Sequence, residues 1–142
     1  MAELDVAFAS LRAPDGDERF VALRRQLGVT SFGINLIALA PGERGRIHRH
    51  ERQEEVYVVL EGELTLALGG GDERVLGRGE LARVGPAVRR QLINAGPQPL
   101  LLLALGGSGE HAGRDGRAWA SWDEPGEGRA PQEVPLPEDL SR

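Results

Sequence analysis

An all-β protein, a sandwich or barrel, is the fold class that three observations predict. The chain of 142 residues carries 20 glycines and 9 prolines, many for its length, which points to tight turns and short elements. From Ser31 onward, about seven short apolar segments alternate with turn signals every eight to twelve residues. No stretch sustains a helical apolar period for more than about ten residues. One domain with a tail fits this length, and it is long enough to bury a core without disulfides.

The elements follow in order. Leu4, Val6 and Phe8 alternate with Asp5 and Ala7, which predicts a short edge strand. Asp17 is placed to cap a short helix carrying Phe20, Leu23 and Leu27 and stopped by Gly28; Phe20 to Leu23 suits a strand equally well. Strands are then expected over Phe32 to Ala40, Val56 to Leu60, Leu64 to Leu68, Val75-Leu76, Leu81 to Val84, Arg89 to Ile93 and Leu100 to Leu105. The domain division is a segment over 1–30, a barrel over 31–105 and a Gly/Pro-rich arm or tail over 106–142. The arm holds seven glycines and four prolines, with Trp119 and Trp122 as its large apolar anchors. Two exposed tryptophans make an unusual surface, so order is expected at least to Asp123, on this barrel or a neighbour's.

Composition excludes several function classes. With no cysteine, disulfides, thiol nucleophiles and iron–sulfur clusters are ruled out. All 17 basic residues are arginine, so no lysine serves a Schiff base or a phosphate loop. A net charge of −5 gives no general attraction to nucleic acid or to anionic membrane. The start carries Glu3 and Asp5 and no long apolar run, and Leu100 to Leu105 is too short to span a bilayer. A cytoplasmic protein with a small-molecule partner, no nucleic acid, no membrane and no organic cofactor is the expectation. The glycine run 69–71 is a hairpin loop, since neither helix nor lysine follows it.

The chemistry concentrates in one place. In an extended strand, His48 and His50 point to the same face, so both imidazoles can reach one ion. A carboxylate follows at Glu54 or Glu55. If the chain turns back over 51–53, that carboxylate lies beside the histidines. Two histidines and a carboxylate suit Fe, Mn, Zn or Ni and leave positions open for substrate. Arg44, Arg46, Arg49 and Arg52 flank the pair, as a solvated loop or as steering for an anion. His111, in the arm, is taken as surface.

The run Gly42-x5-His48-x-His50-x4-Glu55-x6-Gly62, preceded by Pro41, resembles the first motif of the cupin superfamily without a gap. The resemblance covers about Gly33 to Leu105. It implies a double-stranded β-helix, a jelly-roll barrel, and a homodimer. It favours Glu55 over Glu54 and so implies a metal set of His48, His50 and Glu55. Strand parity then turns Tyr57 and Val59 inward and Glu54, Val56 and Val58 outward.

The second motif is degenerate. Gly79 and Asn94 match, but the proline is displaced to Pro86, a glycine is replaced by Ala87, and Arg90 stands where the resemblance implies a third metal-binding histidine. A guanidinium has no free lone pair and stays protonated. At about 5 Å and an effective dielectric near 20, its repulsion of a divalent ion is roughly 6–7 kcal/mol before rearrangement. Two outcomes follow: Arg90 pairs with Glu55 and closes a metal-free binding or regulatory module, or it clamps an anionic substrate beside a three-ligand metal. Arg90 and Tyr57 are the catalytic candidates, and Arg90, Tyr57 and Asn35 the substrate-binding ones. Asn94 reads as a turn-forming asparagine. For the metal-bound reading, the resemblance implies reactions such as those of oxygenases, isomerases and decarboxylases, with an oxygenase or isomerase as the expectation.

Overall fold

The computed structural model describes residues 4–107 and 115–140. Ten strands form two antiparallel five-stranded sheets that face each other as a jelly roll. The first sheet holds β1 (Phe20–Val21), β2 (Gly33–Leu39), β9 (Leu100–Gly107), β4 (Glu54–Glu61) and β7 (Leu81–Val84), in that order. The second holds β10 (Gly116–Trp119), β3 (Ile47–His50), β8 (Arg90–Ile93), β5 (Leu64–Leu68) and β6 (Glu73–Leu76). Between them lies a core that includes Leu39, Tyr57, Val59, Leu66, Leu92 and Leu102.

The apolar run of β2 is nearly continuous because both its faces are covered. Ile37 packs toward the inter-sheet core, while Leu36 and its neighbour Leu101 bury against Leu23 on the outside. Leu23 belongs to α1 (Leu23–Leu27), closed by Gly28 in the left-handed conformation at φ 71°. The ambiguity of this segment resolves into both elements in tandem. Asp17 caps nothing, since Ala22 holds the N-cap position without a side-chain bond. The edge strand expected over Leu4, Val6 and Phe8 does not form, and those side chains are exposed. Without a partner strand, alternation of short apolar residues gives no ladder to join.

Gly62 shows why the first motif ends on glycine. Its φ is +79°, and a Cβ there would stand 2.3 Å from the carbonyl oxygen of Pro99. Both the backbone conformation and the space exclude a side chain.

The arm docks on its own barrel. β10 extends the second sheet by pairing with β3, Gly116 opposite His50 and Trp119 opposite Ile47. Trp119 is 1 % exposed, and the Arg89 guanidinium lies 3.8 Å from its ring centroid. Trp122 is partly exposed and donates to Gln91 Oε1 at 3.3 Å. Beyond it, Val134 is buried, Arg46 Nε donates to the Val134 carbonyl at 2.6 Å, and Arg44 Nε to that of Glu138 at 2.8 Å. The basic cluster read as a solvated loop or an anion guide thus spends two of its members clasping the arm. Among the described residues, no helix is long and apolar enough to cross a membrane.

Candidate metal centre and cavity

β3 presents His48 and His50 on one inward face, and the turn after it returns the chain into β4 with Glu55 beside them. The ligand atoms of these three residues lie within 4.8 Å of one another. His50 Nε2 stands 3.0 Å and His48 Nε2 3.4 Å from Glu55 Oε1. Two ligands about 2.1 Å from one ion, at octahedral or tetrahedral angles, stand roughly 3.0–3.4 Å apart. The two histidine–carboxylate separations therefore match those of neighbouring ligands on one divalent ion.

The outer nitrogens are also engaged. His50 Nδ1 faces Asp115 Oδ1 at 2.7 Å, and His48 Nδ1 faces the Arg46 carbonyl at 3.2 Å. Each ring thus has an oxygen acceptor at both nitrogens, whereas a neutral imidazole has a single N–H. A cation in the gap at Nε2 would meet both the imidazole lone pairs and the Glu55 carboxylate. With Nδ1–H donated outward, Nε2 presents its lone pair to the site.

Asp115 does more than hold His50. Its Oδ2 accepts from the backbone N–H groups of Arg52 and Gln53 at 3.1 and 2.9 Å, and its Oδ1 from Gln53 Nε2 at 2.8 Å. It pins the turn that carries Glu55 back to the histidines. Sequence reasoning missed it: Asp115 lies 65 residues from His50, in a glycine-rich stretch without a motif. The one available signal was the strand-like run from Gly116 to Trp119.

Charge follows geometry. Burial works to raise the Glu55 carboxyl, but the hydrogen bonds and charges of His48 and His50 outweigh it and hold it well below the usual range. Burial works to lower His50, and the Glu55 and Asp115 carboxylates reverse this to a net rise. Burial, reinforced by Glu55 and opposed by Arg90, pushes the Tyr57 phenol well up. Tyr57 is therefore a neutral donor, and its hydroxyl gives Glu55 Oε1 a 2.5 Å hydrogen bond.

Arg90 departs from one of its two expected roles. It is completely buried, donates from Nη1 to the carbonyls of Val88 and Pro86 at 2.6 and 3.3 Å, and from Nε to the Tyr57 hydroxyl at 3.3 Å. Its Nη2 stands 3.4 Å from Glu55 Oε1. Held this way, it presents no surface to the cavity and cannot clamp a substrate directly. It backs Glu55 from behind, while both histidines keep their approach to the same oxygen.

The barrel cavity, about 480 Å³, is lined by His48, His50, Glu55, Tyr57 and Asn35. Its other walls are largely aliphatic, and its rim includes Arg19 and Phe20 from the N-terminal side and Pro131 and Leu136 from the arm. A separate hollow of about 550 Å³ on the outer face, lined by Phe32, Arg52 and Val56 among others, holds none of the three candidate ligands. Asn94 is buried in a turn, donating to the Leu39 and Gln98 carbonyls and accepting from Gly96 N–H, which is a structural role. His111 lies outside the described residues.

Comparison with known proteins agrees with this architecture. The family described as "Cupin domain" matches residues 35–106, just over half of the chain. No curated protein matches the chain. Among solved structures, a sugar phosphate isomerase from a cupin superfamily of Silicibacter pomeroyi is similar at 30 % identity and TM-score 0.57, covering 62 % of this chain and 57 % of its own. A putative sugar phosphate isomerase from Acidithiobacillus ferrooxidans is similar at 26 % identity and TM-score 0.57, covering 66 % of this chain and 58 % of its own. The chain thus spans less than two thirds of those two proteins. An uncharacterized conserved protein with a double-stranded beta-helix domain from Klebsiella pneumoniae shares the fold, at 19 % identity and TM-score 0.59, over 72 % of this chain and 90 % of its own.

Proposed function

Because this chain belongs to the cupin domain family, we propose that it holds a divalent transition metal on His48, His50 and Glu55 and acts through it on a small molecule in the barrel cavity. The observation that carries this reading is the double engagement of both histidines, with an oxygen at every ring nitrogen. Iron, manganese, zinc or nickel suits such a donor set. When bound, the ion supplies Lewis acidity and open positions for a substrate oxygen.

The protein's own residues do the rest. Asp115 keeps His50 in the tautomer whose lone pair faces inward. Tyr57 donates to Glu55 and Arg90 stands beside it, and together they aim the carboxylate. Asn35 offers an amide to whatever lies beside the site, and the aliphatic walls exclude water. Isomerisation and oxygenation are the reaction classes that this arrangement suits, and the two neighbours described as sugar phosphate isomerases support the first. A second reading rests on the Arg90–Glu55 approach of 3.4 Å. In it Arg90 pairs with Glu55, no metal enters, and the barrel is a binding or regulatory module.

Elemental analysis of the untagged protein separates the two. The expected result is close to one transition metal per chain, abolished when His48 and His50 are both changed to alanine in a barrel that remains folded. Protein that stays empty after exposure to iron, manganese, nickel and zinc would overturn the metal reading and leave the closed site.

A further inference from the structure

The arm that follows the barrel meets both the candidate metal centre and the cavity. Asp115 faces His50 Nδ1 at 2.7 Å, and its two oxygens also accept from the backbone N–H groups of Arg52 and Gln53 and from Gln53 Nε2. One carboxylate therefore joins the arm to a candidate ligand and to the turn between the two ligand-bearing strands. Gly116, Pro131 and Leu136 supply part of the cavity wall. These four residues lie beyond the family match, which ends at residue 106.

The arm is tied to itself. Ala118 and Arg129 exchange backbone hydrogen bonds at 2.8 and 3.0 Å, and Pro131 packs so closely on Gly116 that a Cβ there would stand 3.2 Å from Pro131 Cγ. What fastens its last stretch to the barrel is sparse. Over 131–140 only Val134 is buried, and Pro131, Pro135 and Pro137 have no N–H to donate. The holding bonds run from Arg46 Nε to the Val134 carbonyl, from Arg44 Nε to that of Glu138, and from the Leu140 N–H to that of Gly42. A segment with so few buried side chains opens at low free-energy cost, so its docking responds to small added interactions.

The metal site adds such an interaction. With an ion on His50 Nε2, the ring's Nδ1–H becomes a stronger donor to Asp115, and that carboxylate faces added positive charge. Coupling of this kind is reciprocal: whatever docked Asp115 contributes to ion affinity, the ion contributes to docking of the arm. We propose that the C-terminal arm is a clasp set by the metal: an ion on His48, His50 and Glu55 fastens residues 115–140 to the barrel through Asp115, and the fastened arm keeps the cavity walled. This inference rests on the metal reading above.

The test is hydrogen exchange, followed by mass spectrometry, on the full-length protein stripped of metal, with and without saturating zinc. Zinc content is measured on the same samples. Zinc is expected to slow exchange over 116–119 and 132–140 about tenfold or more, a coupling of ordinary size, and to change β6 by less than about threefold. β6 is the internal reference because it lies at the opposite edge of the same sheet from β10. Zinc-loaded Asp115→Ala is expected to lose the extra protection of the arm. Asp115→Asn, which keeps an acceptor but not the charge, is expected to lose most of it and guards against a folding defect in the alanine variant. Zinc bound with the arm slowed no more than β6 overturns the clasp and leaves the metal reading standing. So does extra protection that survives undiminished in both zinc-loaded variants. Wild-type protein that binds no zinc and no other transition metal overturns the metal reading and the clasp with it, so metal content tells the two failures apart.

Discussion

Four polar groups converge on Glu55 Oε1. His48 Nε2, His50 Nε2, the Tyr57 hydroxyl and Arg90 Nη2 all stand within 3.4 Å of it. A carboxylate oxygen has about two lone-pair directions, so four donors cannot all be satisfied at once. An ion between the histidines and Glu55 relieves the conflict by replacing two competing N–H groups with one bond, while Tyr57 remains a donor from the other side. Asp115 decides which histidine nitrogen is free for that ion. Asp115→Ala is expected to weaken metal binding about 10- to 100-fold, the usual consequence of removing such a partner. Competition titration against a chromogenic chelator reads this directly. An unchanged affinity would mean that His50 keeps its orientation without the carboxylate.

At the level of elements, the site depends on a strand that lies outside the family match. β10 carries Asp115 at its entrance and is fastened at its far end by Trp119, buried between Arg89 and the chain of the arm. Trp119→Ala is expected to cost about 3–5 kcal/mol in urea unfolding, the range for a truncated buried aromatic. It is also expected to lower metal affinity in the protein that stays folded, because it loosens β10, which carries Asp115 directly before its first residue. A loss of stability with metal affinity untouched would show that Asp115 is held by the turn over 51–53 alone. This division explains what was legible in the sequence. His48, His50 and Glu55 lie within eight residues on two strands joined by a tight turn, so period and spacing were enough to bring them together. The strands of the barrel announced themselves as apolar runs between glycines. Asp115 and Arg19 reach the same site through sheet pairing of elements remote in the chain, and only the register of β10 on β3 and of β1 on β2 places them. Arg90 was visible as a departure from the motif, but its direction was not. Parity says that it faces inward; the carbonyls of Pro86 and Val88 that turn it away from the cavity belong to a loop whose path no periodicity encodes.

For the molecule as a whole, the first sheet is covered unevenly. α1 shields Leu36 and Leu101, but farther along the outer face Val56, Val58 and Leu105 remain only half-buried and Phe32 is exposed. Exposed Leu81 stands opposite Val58 at the edge of the same sheet. An apolar band on one face of a sheet needs a second layer to remove it from water. Two copies meeting face to face through this band, as an isologous dimer, would supply that layer to each other. A charge at its centre is the direct probe, since each copy would bring the same charge to the two-fold axis and neither would find a partner there. Val56→Glu is expected to convert a dimer into a monomer in sedimentation velocity while leaving the cavity and its metal content intact, because Val56 points away from both. A wild-type protein that sediments as a monomer across the micromolar range would remove the dimer. A Val56→Glu protein that remains dimeric would move the contact to another face.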